Sequence, residues 1–168
     1  MEVLARGDGF GYFLPVLLAL SPDDRWLAGL EDGTLIVCRD LKGGKKTRAL
    51  PHDSQRVVAL AFTADGRQLV SATQRAVYLW DVARQRQTKC FEVEGSKLVD
   101  MAIQPAGPLL VTAHADHTVT LRERATGRVL RSFDWKIGAL QGVAFAPDGQ
   151  TAALAKNGQL FVWDVDSE

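Results

Sequence analysis

The chain repeats itself. Four segments align without gaps around a turn: LLALSPDDRWL, ALAFTADGRQL, DMAIQPAGPLL and GVAFAPDGQTA. Ser21, Thr63, Gln104 and Ala146 mark the same place in each, at spacings of 42, 41 and 42. A second block aligns further on, DGTLIVC, QRAVYLW, DHTVTLR and NGQLFVW, whose last residues Cys38, Trp80, Arg122 and Trp163 are spaced 42, 42 and 41. Two anchors with one period define a repeat architecture, in which each unit buries its apolar faces against its neighbours.

Each unit reads as strands. VVALAF (57–62) is a continuous apolar run ending before Asp65-Gly66, as a strand buried on both faces requires. QLVSAT (68–73) and AVYLW (76–80) follow across a tight polar connection, and QTKCFE (87–92) mixes β-branched, aromatic and charged residues as an outer strand does. Four short strands per repeat predict an all-β fold, a β-propeller of four four-stranded antiparallel blades. One domain covers 1–168, with repeats over 13–54, 55–96, 97–137 and 138–168. The last repeat supplies three strands. Glu2-Val3-Leu4-Ala5 is similar to Arg128-Val129-Leu130-Arg131, so residues 2–6 are expected to close the last blade as its outer strand. That completes sixteen strands and favours an intact polypeptide. Two chains forming one eight-bladed ring, a homodimer, are expected; part of a larger propeller and a closed four-blade monomer are the alternatives.

The strings SPDD, TADG and APDG, together with Trp80-Asp81 and Trp163-Asp164, resemble the turn and the dipeptide of WD40 repeats. The resemblance covers roughly residues 13–168 and implies a non-catalytic scaffold for protein interaction. Repeats one and three depart from it, with Cys38-Arg39 and Arg122-Glu123 in place of Trp-Asp, and the Gly-His pair that opens a WD40 repeat is missing. The family's buried polar network is therefore expected only in part: Ser71 with Trp80, and Thr112 with Asp116. Apolar stacking of blades is expected to carry the stability.

Other classes find little support. Lys plus Arg equals Asp plus Glu at 20 each, so bulk charge draws the chain to neither nucleic acid nor anionic membrane. The apolar run Phe13–Leu20 is too short to span a bilayer, and Glu2 and Asp8 before it oppose a secretory reading. Cys38 and Cys90 suggest reduced thiols inside strands and a cytoplasmic protein. Gly7-Asp8-Gly9-Phe10-Gly11 lacks the strand–helix setting and the lysine of a phosphate loop. His114, Asp116 and His117 have donor atoms for a metal, but no other ligand is nominated. No Ser, Cys or Thr stands in a recognisable nucleophile motif. The chain is expected to be no enzyme and to use neither cofactor nor metal.

Binding is expected on the loops. Connections after the outer strand and between the second and third strands share one face. The candidate partner-binding residues there are His52, Trp135, Lys136, Arg75, His114 and His117. Trp135 is either a binding anchor or a cap packed on the neighbouring blade. Twelve basic residues cluster around the third-to-fourth-strand connections: Arg39, Lys42, Lys45, Lys46 and Arg48; Arg84, Arg86 and Lys89; Arg122, Arg124, Arg128 and Arg131. With Asp23, Asp24, Asp65 and Asp148 nearer the axis, they predict a basic outer belt around an acidic inner ring. Such a belt protects outer strands from edge pairing; as a binding surface, with Lys45, Lys46 and Arg48 foremost, it would take an acidic protein, a phosphoprotein or RNA. Balanced charge and few exposed aromatics argue against nucleic acid.

Overall fold

The computed structural model describes residues 17–31, 34–43, 47–50, 55–134, 138–156 and 159–165. Among them every regular element is a β-strand. Blade 1 comprises β1 (Leu18–Leu20), β2 (Trp26–Glu31), β3 (Leu35–Asp40) and β4 (Thr47–Leu50). Blade 2 comprises β5 (Val57–Phe62), β6 (Gln68–Thr73), β7 (Ala76–Asp81) and β8 (Arg86–Glu92). Blade 3 comprises β9 (Leu98–Ile103), β10 (Leu109–His114), β11 (Val119–Glu123) and β12 (Val129–Phe133). Blade 4 comprises β13 (Gly142–Phe145), β14 (Thr151–Lys156) and β15 (Gln159–Asp164). Each sheet is antiparallel in chain order. The fold is a four-blade β-propeller, as the period predicts. The outer strand expected from residues 2–6 lies outside the described residues.

The repeated turn closes the first hairpin of each blade, and its side chains do the closing. In blade 1 the Ser21 hydroxyl accepts the Trp26 N–H at 2.8 Å and donates to Asp23 at 2.5 Å. In blade 2 Thr63 donates to Asp65 at 2.6 Å and accepts the Gln68 N–H at 3.2 Å. The hydroxyl bond holds each carboxyl below the usual carboxylate range. Asp148 instead accepts the N–H groups of Gln150 and Thr151. Asp23, Asp65 and Asp148 of the expected acidic ring are thus committed to their own hairpins. Gly66 and Gly149 adopt positive φ in this turn, and Asp24 takes the same conformation in blade 1 with φ 55°.

Alternation then divides each blade into two faces. In blade 2 the register sets Leu69 opposite Trp80 and Ser71 opposite Tyr78 on one face, with Val70 opposite Leu79 and Ala72 opposite Val77 on the other. The first face points backward, sharing a core with Ala28, Ile36, Cys38 and Leu50 of blade 1. The second points forward, sharing a core with Leu98, Met101 and Leu110 of blade 3. A third core joins Val111, Ala113, Val119 and Leu121 of blade 3 to Val143, Ala152 and Leu154 of blade 4. The innermost strands follow one another accordingly, β1 against β5, β5 against β9 and β9 against β13.

Register also relocates one anchor. Leu69 stands opposite Trp80, Leu110 opposite Arg122 and Ala152 opposite Trp163, but in blade 1 the corresponding Leu27 stands opposite Arg39. Arg39-Asp40, and not Cys38-Arg39, therefore holds the place of Trp80-Asp81. The cause is one extra residue in the connection: Ala72 pairs with Val77, whereas its counterpart Leu30 pairs with Ile36. Blades 1 and 3 thus replace the tryptophan with arginine, and every blade keeps an acid, Glu123 taking the place of the aspartate in blade 3. Asp40 accepts the N–H groups of Lys42 and Gly43, Asp81 accepts that of Arg84, and Glu123 accepts the Thr126 hydroxyl. In these three blades the acid fastens the turn into the outer strand.

Candidate interaction surface

Two sets of loops meet at one end of blades 2 and 3. The β8–β9 connection runs between the β6–β7 turn and the β10–β11 turn and is tied to both. Val93 N–H donates to Arg75 O at 2.7 Å, and Leu98 N–H donates to Gln74 O at 2.9 Å. On the other side Ala115 N–H donates to Lys97 O at 2.8 Å, and Asp116 N–H donates to Ser96 Oγ at 3.0 Å. Gly95 permits the bend, with φ 84°. The two connection types therefore share a face, as the strand order requires, and form one continuous ledge.

Arg75 is exposed on this ledge and His117 is half-buried in the β10–β11 turn. A cavity of about 710 Å³ opens beside Arg75, lined by Gln55, Tyr78, Gln87, Cys90, Glu92 and Glu94. It sets one cation against two carboxylates over an aromatic floor. Cys90 is exposed on β8, so packing does not explain it, whereas Cys38 is fully buried in the first core. His52, Trp135, Lys136, Lys45 and Lys46 lie outside the described residues. Arg48 stands on β4 opposite Cys38.

His114 is not a surface residue. It ends β10, is buried, and directs Nε2 at the hydroxyls of Thr112 (2.9 Å) and Thr120 (3.0 Å). Its Nδ1 lies 3.3 Å from the Ser96 carbonyl, which can only accept, so Nδ1 carries the proton and Nε2 accepts a hydroxyl hydrogen. Burial, with nearby Arg122, pushes its pKa down and keeps the imidazole neutral. Thr112 bonds His114 and Thr120, not Asp116 as expected; Asp116 accepts from the N–H and hydroxyl of Thr118. The alternation of β10 explains both corrections, since it turns residues 112 and 114 to one inward face.

Arg122 completes this network and leaves the expected basic belt. It is buried, donating Nε to Thr120 at 3.2 Å and Nη1 to the Gly127 carbonyl at 3.1 Å. In blade 2 the equivalent space holds Trp80, whose indole N–H reaches Ser71. Three more belt cations serve nearby acceptors: Lys42 on the Asp23 carbonyl, Arg84 on Asp81 and Arg124 on the Gly107 carbonyl. Arg86, Lys89, Arg128 and Arg131 remain exposed around β8 and β12. Among the described residues no group of three or more His, Cys, Asp and Glu side chains is placed to hold a metal, and no helix is long and apolar enough to cross a membrane.

Sequence reasoning missed two residues that join blades 3 and 4. Asp100 Oδ2 accepts the Val143 N–H at 2.9 Å, and burial raises its carboxyl pKa. Gln104 donates Nε2 to the Gly149 carbonyl at 2.7 Å. An acid inside the apolar run LVDMAI, where blade 2 has Ala59, was the available signal.

Residues 44–81 match the WD domain, G-beta repeat family, a span that begins before β4 and ends with β7. The chain is similar to a WD repeat-containing protein of Synechocystis, 28% identical over 84% of this chain and 41% of that protein. It is also similar to guanine nucleotide-binding protein subunit beta-like protein 1 of Mus musculus, 24% identical over 83% of this chain and 44% of that one. WD repeat-containing protein 36 of Homo sapiens is 29% identical over 60% of this chain and 10% of its own length. The chain thus spans less than half the length of these relatives. Four blades on one period, the acid of the Trp-Asp dipeptide kept in each, and the match over residues 44–81 make the chain similar to WD40-repeat proteins.

Proposed function

We propose that the chain is a non-catalytic, cytoplasmic scaffold that presents the ledge on blades 2 and 3 to a protein partner. The observation that carries this reading is the union of two loop sets into one surface, fixed by the four bonds at Gln74, Arg75, Ala115 and Asp116. Proteins with WD40 repeats generally act as interaction scaffolds, and a ledge held by three main-chain bonds and one to the Ser96 hydroxyl costs little ordering entropy when a partner docks. Arg75, with Glu92 and Glu94 around the adjoining cavity, supplies charge-directed contacts; Trp135 and Lys136, between β12 and β13 in the sequence, are proposed to add an aromatic and a cationic contact. The apolar junctions position the ledge and take no direct part in binding.

Affinity capture with the immobilised chain, compared by mass spectrometry with the variants Arg75→Glu and Trp135→Ala, tests this. A protein held by the wild-type chain and lost at least tenfold from both variants is the expected result. Capture indifferent to both substitutions would reject the ledge as the binding surface.

A further inference from the structure

Among the described residues three cores serve four blades. Among the described residues no core joins blade 4 to blade 1, and two blade faces stay open. On the forward face of blade 4, Leu160 stands opposite Ala155 and Val162 opposite Ala153. Their counterparts in blade 2 are Val77 and Leu79, and in blade 3 Val119 and Leu121, all buried at the next junction. Yet Leu160 is 74% exposed and Val162 65%. On the backward face of blade 1, Leu18 and Leu20 are the counterparts of Leu60 and Phe62, which pack into the first core; they are 62% and 52% exposed. Single exposed apolar residues need no explanation, but these four occupy positions that form junctions elsewhere in the molecule.

We propose that a second copy of this chain covers both faces, the forward face of blade 4 in each protomer seating on the backward face of blade 1 in its partner. The product is an eight-bladed ring with a two-fold axis. Three observations select this occupant. At each of the three described junctions a forward face is met by the backward face of the following blade, and blade 1 offers such a backward face. Both ends are open at once, and one copy satisfies both. The Synechocystis and mouse relatives are more than twice as long as the stretch matched, with room for about twice as many blades, and eight lies within the usual propeller range of about four to eight. The contact is heterologous, occurring twice, and closes only if each chain turns through half a circle.

Sedimentation and native mass spectrometry of the 168-residue chain test the proposal. A single species at twice 18.3 kDa is expected. Leu160→Lys with Val162→Lys should reduce the mass to 18.3 kDa, and so should Leu18→Glu with Leu20→Glu. All four side chains are more than half exposed within one chain, so circular dichroism should show both variants folded. Combining the two pairs in one chain sets lysines against glutamates at each junction and should restore the doubled mass at low salt, less so at high salt. A wild-type chain at 18.3 kDa through the micromolar range would overturn the proposal, as would a ladder of larger masses or a dimer indifferent to either pair. A monomer that still loses its captured protein on Arg75→Glu would remove the ring and leave the ledge standing.

Discussion

Trp80 donates its indole N–H to the Ser71 hydroxyl at 2.8 Å, with both residues fully buried on the backward face of blade 2. Tyr78 stacks beside the indole, with ring centroids 6.0 Å apart and planes at 23°. The bond satisfies the one polar atom of the largest fully buried side chain in the described residues. Ser71→Ala leaves that N–H without this acceptor and should destabilise the chain by about 1–3 kcal/mol in urea denaturation. Trp80→Phe combined with Ser71→Ala should cost less than the two single changes summed, because the second loss has no bond left to break.

Blade 3 solves the same problem with Arg122, Thr120, Thr112 and His114, and the solution is sensitive to acid. The folded state holds His114 neutral, its pKa lowered by burial and by Arg122. An unfolded chain therefore binds more protons below about pH 6.5, and stability rises with pH through that region before levelling off. Thermal melts between pH 5 and 8 should show this slope, and His114→Gln should flatten it. An unchanged slope in the variant would mean that another group titrates.

Asp24 occupies a left-handed position that Gly66 and Gly149 fill in the equivalent turns. A non-glycine residue there is strained. Asp24→Gly should raise stability by up to about 1 kcal/mol in denaturant titration, while Gly66→Ala should lower it by a similar amount.

Blade 4 is latched to blade 3 by Asp100 and Gln104 in addition to apolar packing. Asp100→Ala should cost about 1–3 kcal/mol by stranding the Val143 N–H. It should also speed amide exchange at Val143 ahead of the amides of β6 and β7. Burial raises the Asp100 pKa, so the fold favours its protonated form; stability therefore falls as pH rises from about 4 through that pKa, and Asp100→Asn should remove this part of the profile.

The blades are legible in the residues because the same strand pattern recurs at one spacing and the SPDG-like turns punctuate it. The Leu18–Leu20 stretch, readable in isolation as part of a leader, is β1. What periodicity could not show is register. The extra residue between Leu30 and Ile36 moves Arg39 into the tryptophan place, and gapless alignment hides that shift. Direction is similarly hidden: His114 and Arg122 read as surface groups until pairing places them on the inward face of blade 3. The Asp100 and Gln104 latch joins residues more than forty positions apart and leaves no local pattern beyond a polar residue in an apolar strand.

Residue-resolved amide hydrogen exchange tests the stack of blades most directly. Protection should recur at the 41–42-residue period, strongest in the second and third strands of each blade and weakest in the exposed outer strands β8 and β12. In blade 2 the slow amides should fall between Leu69 and Trp80, within the strands flanked by two cores. Protection that lacks this period, or fast exchange throughout β6 and β7, would contradict the four-blade stack.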